Sequence, residues 1–188
     1  GNSTLAGVAS GAGYVVKNGS GTLFITAKPA FTGPFIINGG RVEVNTTTYE
    51  RAFVNATNIL VNAGATLGLN IVNILYQGGV YSTITVNGGT VDLNGYHNHF
   101  GPLFLNGGTL NGISPAGRYA NEYPTFDFDV VVSGSAQSVI TGTDSTGAYS
   151  LVSAARKFTV AATGDPSGTD LLVNNPLVNG GLVKDGAG

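Results

Sequence analysis

The side chains able to do chemistry in this chain are few and thinly spread. Ten Asp and Glu stand among 188 residues, with eight Lys and Arg, two His and no Cys. Cleaving a glycosidic bond takes two carboxyl groups flanking it, one as acid and one as nucleophile or base. The closest acidic pair is Asp127 and Asp129, in Phe126-Asp127-Phe128-Asp129. In a strand the two share one face opposite Phe126 and Phe128, so the spacing predicts a solvated face over a buried aromatic one. His97 and His99 stand two apart in Tyr96-His97-Asn98-His99-Phe100. They would hold a metal only with a third ligand from elsewhere, and exposed loop histidines are the simpler expectation. Asp165-Pro166-Ser167-Gly168-Thr169-Asp170 carries the oxygens of a Ca²⁺ loop, yet reads more simply as a turn. Serines are many, but two His and no nucleophile elbow do not make a triad. The expectation is a protein that is not an enzyme and has no cofactor and no metal.

Recognition is the chemistry better served. Counted from Asn38, Asn62, Asn87, Asn106 and Ser133, seven of the eight Tyr fall at similar distances: Tyr49, Tyr76, Tyr81, Tyr96, Tyr119, Tyr123 and Tyr149. Glu50, Arg51, His97, Asn98, His99, Arg118 and Glu122 lie between them. A tyrosine offers a flat apolar face and a polar tip, which suits a sugar ring. Aligned on one side of a repeat structure, Tyr49, Tyr76, Tyr81, Tyr96, His97, His99, Arg118, Tyr119 and Tyr123 would make a ligand-binding strip. The competing expectation is a minor core, as Phe53, Phe126 and Phe128 are expected to form.

What must position such a strip is a repeat. Ile36-Ile37-Asn38-Gly39-Gly40-Arg41-Val42 returns as Leu60-Val61-Asn62-Ala63-Gly64-Ala65-Thr66-Leu67, as Thr85-Val86-Asn87-Gly88-Gly89-Thr90-Val91 and as Phe104-Leu105-Asn106-Gly107-Gly108-Thr109-Leu110. Val131-Val132-Ser133-Gly134 is a weaker copy. The turn residues are separated by 24, 25, 19 and 27 positions. Asn-Gly between strands is also a hairpin signal, but a recurring period favours stacked coils. The pattern therefore predicts an all-β chain: a right-handed parallel β-helix of about seven coils, with a β-sandwich or jelly roll as the alternative. In the coils the turn Asn side chains would form a hydrogen-bonded ladder. The Gly after each Asn would supply a positive φ, and alternating Val, Leu and Ile would fill the interior.

Composition agrees. Hydrophobic residues make 42% and charged residues 10% of the chain, and 30 residues are Gly. No apolar run reaches the roughly 18 residues of a membrane span. A net charge of −2 without a basic patch argues against nucleic acid. The abrupt ends lead us to expect one β-helix domain over residues 1–188, cut from a longer extracellular protein and flanked by other domains of the same chain.

Residues 13–44 resemble the autotransporter-associated β-strand repeat. The matching residues are Lys17, Gly19, Gly21, Thr22 and Leu23, then Phe31, Thr32 and Gly33, then Asn38, Gly39 and Gly40. Residues 181–188 look like the start of another copy. The resemblance implies a parallel β-helix, secreted or on a bacterial cell surface, and brings no catalytic residues. Two functions follow as expectations. One is a non-catalytic carbohydrate-binding module gripping a polysaccharide, such as a plant cell-wall xylan, along the aromatic strip. The other is a structural stalk or passenger segment of a surface protein or adhesin.

Overall fold

The computed structural model describes residues 1–46, 52–53, 55–112, 123–142 and 147–188. The chain winds as stacked coils. Ser3–Leu5, Thr22–Ile25, Gly40–Val44, Ala65–Leu69, Thr90–Asp92, Thr109–Asn111, Ser138–Thr141 and Leu171–Val173 form one eight-stranded sheet, which follows the turns. A second sheet precedes the turns, from Val15–Lys17 and Phe35–Ile37 through Asn58–Asn62, Thr83–Asn87, Leu103–Asn106 and Val130–Ser133 to Tyr149–Val160 and Leu177–Asp185. A shorter third face holds Ser10–Gly11 beside Ala30–Phe31, and His99–Phe100 beside Thr125–Phe126 and the start of Tyr149–Val160. Pairing between coils is parallel throughout these sheets. This is the parallel β-helix expected, and it rules out a sandwich of antiparallel strands. Among the described residues the turn-following sheet has eight strands, against the roughly seven coils expected.

Period-two alternation places the core. Ile37, Val61, Val86, Leu105, Val132 and Val160 are partners in unbroken register and are all buried. Val42, Leu67, Val91, Leu110 and Ile140 form the opposing column. Each fully buried aliphatic side chain contributes roughly 1.5–3 kcal/mol, so these columns dominate the energetics. Aromatic rings extend the core. Phe35 stacks on Phe53 at 5.0 Å, and Phe126 lies between Phe100 at 5.8 Å and Tyr149 at 5.2 Å.

The turn ladder forms as the spacing requires. Asn38 Nδ2 donates to Asn18 Oδ1 (2.8 Å), Asn62 to Asn38 (2.7 Å), Asn87 to Asn62 (3.1 Å) and Asn106 to Asn87 (2.8 Å). The Ser133 hydroxyl donates to Asn106 Oδ1 and closes the row. An amide both gives and accepts, so one residue type can run through successive coils with every rung satisfied. The glycine expectation needs a correction. Gly88, Gly107 and Gly134 have φ of 71°, 67° and 98° directly after Asn87, Asn106 and Ser133, as expected, but after Asn38 the positive φ falls on Gly40 (67°) and after Asn62 on Gly64 (75°). The partner glycine serves close approach instead: a Cβ on Gly89 would stand 2.6 Å from the Asn62 carbonyl oxygen.

Candidate binding surface

An insertion on the side of the solenoid gathers several of the tyrosines. In Tyr76-Gln77-Gly78-Gly79-Val80-Tyr81, Gly78 and Gly79 have φ of 53° and 88°, the two positive values of a tight hairpin turn. Tyr76–Gln77 and Val80–Tyr81 accordingly pair antiparallel, with Tyr76 opposite Tyr81. The hairpin leaves the coil just ahead of Thr83–Asn87 and carries exposed Val80 outward.

Its rings reach two further coils. Tyr76 lies 4.9 Å from Tyr81 and 4.8 Å from the His99 ring, and His97 meets His99 edge-on at 4.7 Å. Tyr81 meets Phe128 at 5.0 Å and 76°. A polar network fixes the base of the cluster. His99 Nδ1 lies 2.7 Å from Asp127 Oδ2, and Thr125 donates its hydroxyl to the same oxygen at 3.1 Å. The Tyr81 phenol is pushed up to about 12, first by burial and then by the negative charge of Asp127, with Arg156 opposing. Tyr81 is therefore a neutral donor across the ordinary pH range.

The strip expected along the coils is thus gathered in part. Tyr76, Tyr81, His97 and His99 come together; Tyr96 and Tyr123 are half-buried nearby, with the Tyr123 carbonyl 2.7 Å from His97 Nδ1. Tyr49, Arg118 and Tyr119, with Glu50, Arg51 and Glu122, lie outside the described residues. Tyr149 does not join the strip. It is fully buried and donates to the carbonyls of Gly112 (2.8 Å) and Thr141 (2.9 Å), and burial raises its pKa. His97 is buried rather than an exposed loop residue.

Phe128 overturns its expectation as well. It is 41% exposed while Phe126 is buried. Strand Thr125–Phe126 ends before the alternation reaches residue 128, and the chain bends there. Asp127 and Asp129 consequently part company: Asp127 joins His99 and Thr125, and exposed Asp129 accepts the Lys157 N–H at 2.9 Å. Phe128 and Arg156 are the residues of this surface that the pattern of tyrosines missed.

The other candidates resolve into structure. Asp165 accepts the N–H groups of Gln137 and Ser167, and Asp170 accepts the N–H and hydroxyl of Thr163, so both carboxylates cap the 163–170 turn. Among the described residues no group of three or more His, Asp or Glu is placed to hold a metal. On the turn-following sheet, Arg41 pairs with Glu43 and reaches Asp92 at 3.1 Å. Gly68 stands between Glu43 and Asp92 in the register and leaves the passage clear.

Coils in parallel register, sealed by an amide ladder, define a solenoid. Residues 15–44 match the family model of the passenger-associated-transport-repeat, so this segment is a repeat of the autotransporter-associated kind. Neither curated proteins nor solved structures yielded a match. The motif residues are accounted for by stacking. Lys17 Nζ donates to the carbonyls of Asn18 (3.0 Å), Gly19 (2.7 Å) and Gly39 (2.9 Å), clamping two successive turns. Phe31 is buried, and a Cβ on Gly33 would come within 2.2 Å of the Gly13 carbonyl oxygen.

Proposed function

We propose that this chain is a structural, non-catalytic passenger segment of a secreted or surface-displayed bacterial protein. The observation that carries the reading is the use of the repeat's signature residues. Lys17, Phe31, Gly33 and Asn38 all hold one coil to the next, which is the work of an extending scaffold. Secretion favours such a design: coils add one at a time, each finding a preformed edge, and no disulfide is needed. The test is to join the chain to an outer-membrane translocator and treat whole cells with protease. Surface exposure of a protease-resistant β-rich fragment supports the reading; retention inside the envelope contradicts it.

A second reading, polysaccharide binding, is favoured by one observation. Tyr76 and Tyr81, on an inserted hairpin that stacking of the coils does not require, form a ring cluster with Phe128. A plain spacer has no use for it.

A further inference from the structure

The ring cluster continues into a cation along the solenoid axis. Val130 pairs with Phe158, and Phe128 and Arg156 each stand two residues ahead of these partners. Leu103 pairs with Val130, which places Gly101 in the same row one coil earlier, beneath Tyr81. Ile84 pairs with Leu103, so Ser82 is the residue opposite Gly101, and its neighbour Tyr81 reaches past Gly101 to the Phe128 ring. Tyr81, Phe128 and Arg156 thus come from a span of four consecutive coils, roughly 15 Å at the spacing of parallel strands.

Arg156 is the unusual member. Its Nε–H is shielded from water and has no acceptor, and among the described residues its guanidinium has no carboxylate within 4 Å. Arg156 is half-buried, so a ligand would meet its terminal nitrogens and not the shielded Nε, and it is the guanidinium without an ion-pair partner that calls for an explanation. The neighbouring acids do not supply it, since Asp127 is held by His99 and Thr125 and Asp129 accepts from Lys157 N–H. A guanidinium is matched geometrically to a carboxylate. An aromatic face beside it is matched to the apolar face of a sugar ring.

We propose that Tyr81, Phe128 and Arg156 form a binding site for a glycan bearing carboxylate groups, a polyuronate, with rings stacked on Phe128 and Tyr81 and a uronate carboxylate on Arg156. This rests on the polysaccharide reading above and narrows its ligand. Phe128 and Arg156 stand on adjacent coils, each two residues ahead of the paired Val130 and Phe158.

The experiment is affinity electrophoresis of the full chain through gels containing polygalacturonate, its fully methyl-esterified form, or neutral xylan. The expected result is retardation by polygalacturonate only, with affinity falling about tenfold in Phe128→Ala and in Arg156→Gln, each the size of one lost stacking or charge-assisted contact. Both side chains lie at the surface or its margin, and unchanged thermal melting identifies variants that remain folded. Arg156→Lys serves as a second variant that keeps the charge and loses the fork, and it should bind more weakly than the parent. Retardation by xylan or the ester as strong as by polygalacturonate overturns the carboxylate proposal and leaves the polysaccharide reading standing. Retardation indifferent to all three substitutions overturns the site. Unchanged mobility in every gel overturns both.

Discussion

Tyr81 touches the ring of Phe128 at 5.0 Å across a coil that contributes only Gly101 at that place. A Cβ on Gly101 would stand 2.6 Å from the Tyr81 Cβ and 2.7 Å from the Ser82 carbonyl oxygen. The missing side chain lets the first coil speak to the third. Gly68 does the same for Arg41 and Asp92 on another face. In a solenoid, where contacts run mainly between neighbours, such gaps are how distant coils are tied.

Gly101→Ala should therefore cost about 1–3 kcal/mol through overpacking against backbone. Urea unfolding measures it. The same variant should bring Tyr81 back towards an ordinary phenol, because the ring is displaced from its buried place and from Asp127.

The amide ladder makes a directional prediction. Asn62→Asp keeps an acceptor for Asn87 but loses the N–H that Asn38 receives, so two acceptors face each other. We expect a loss of about 1–3 kcal/mol, measured by denaturant unfolding. Asn18→Ala should cost less, since Asn18 sits at the end of the row and accepts from one neighbour.

Tyr149→Phe should leave the Gly112 carbonyl without its buried donor, while the Thr141 carbonyl still accepts the Gly112 N–H, at about 1–3 kcal/mol. The pH dependence has a definite sign. Tyr81 and Tyr149 both have folded pKa values above the ordinary 10.0, Tyr81 at about 12. Their contribution is complete below pH 10 and is lost as pH rises through the folded values. Ultraviolet titration should show these two phenols ionising late, together with alkaline unfolding.

The acid limb runs the other way. Asp165 is held below the usual 3.8 first by the Ser167 hydroxyl, and Asp170 first by the Thr163 hydroxyl, each helped by backbone N–H groups. What they contribute is present above that value and fades as pH falls through the lowered ones. Limited proteolysis across residues 163–170 should show the turn loosening there. Asp165→Asn should blunt the acid response.

The repeat carried most of this fold in plain view. Asn38, Asn62, Asn87 and Asn106 recur with β-branched flanks, and that spacing alone dictates both the coil and its ladder. The side surface was harder to read because it depends on local breaks in the period. Gly78-Gly79 folds a hairpin inside what reads as a variable arc. Phe128 looks like core by alternation and is not, since its strand stops at Phe126. Tyr149 looks like its fellow tyrosines by phase, yet its hydroxyl finds two carbonyls inside and the ring follows. Arg156 gains meaning only through the register of Phe158 with Val130, which no local pattern announces.

Cysteine cross-linking on the surface-displayed chain tests the central claim most directly. Thr85 and Phe104 are partners on adjacent coils, while Val131 lies one coil beyond Phe104. Adjacent strands lie about 4.8 Å apart, inside disulfide range. A rigid stack displayed outside the cell predicts oxidative cross-linking in Thr85→Cys with Phe104→Cys, and none in Thr85→Cys with Val131→Cys. Cross-linking of the second pair, or of neither, would contradict it.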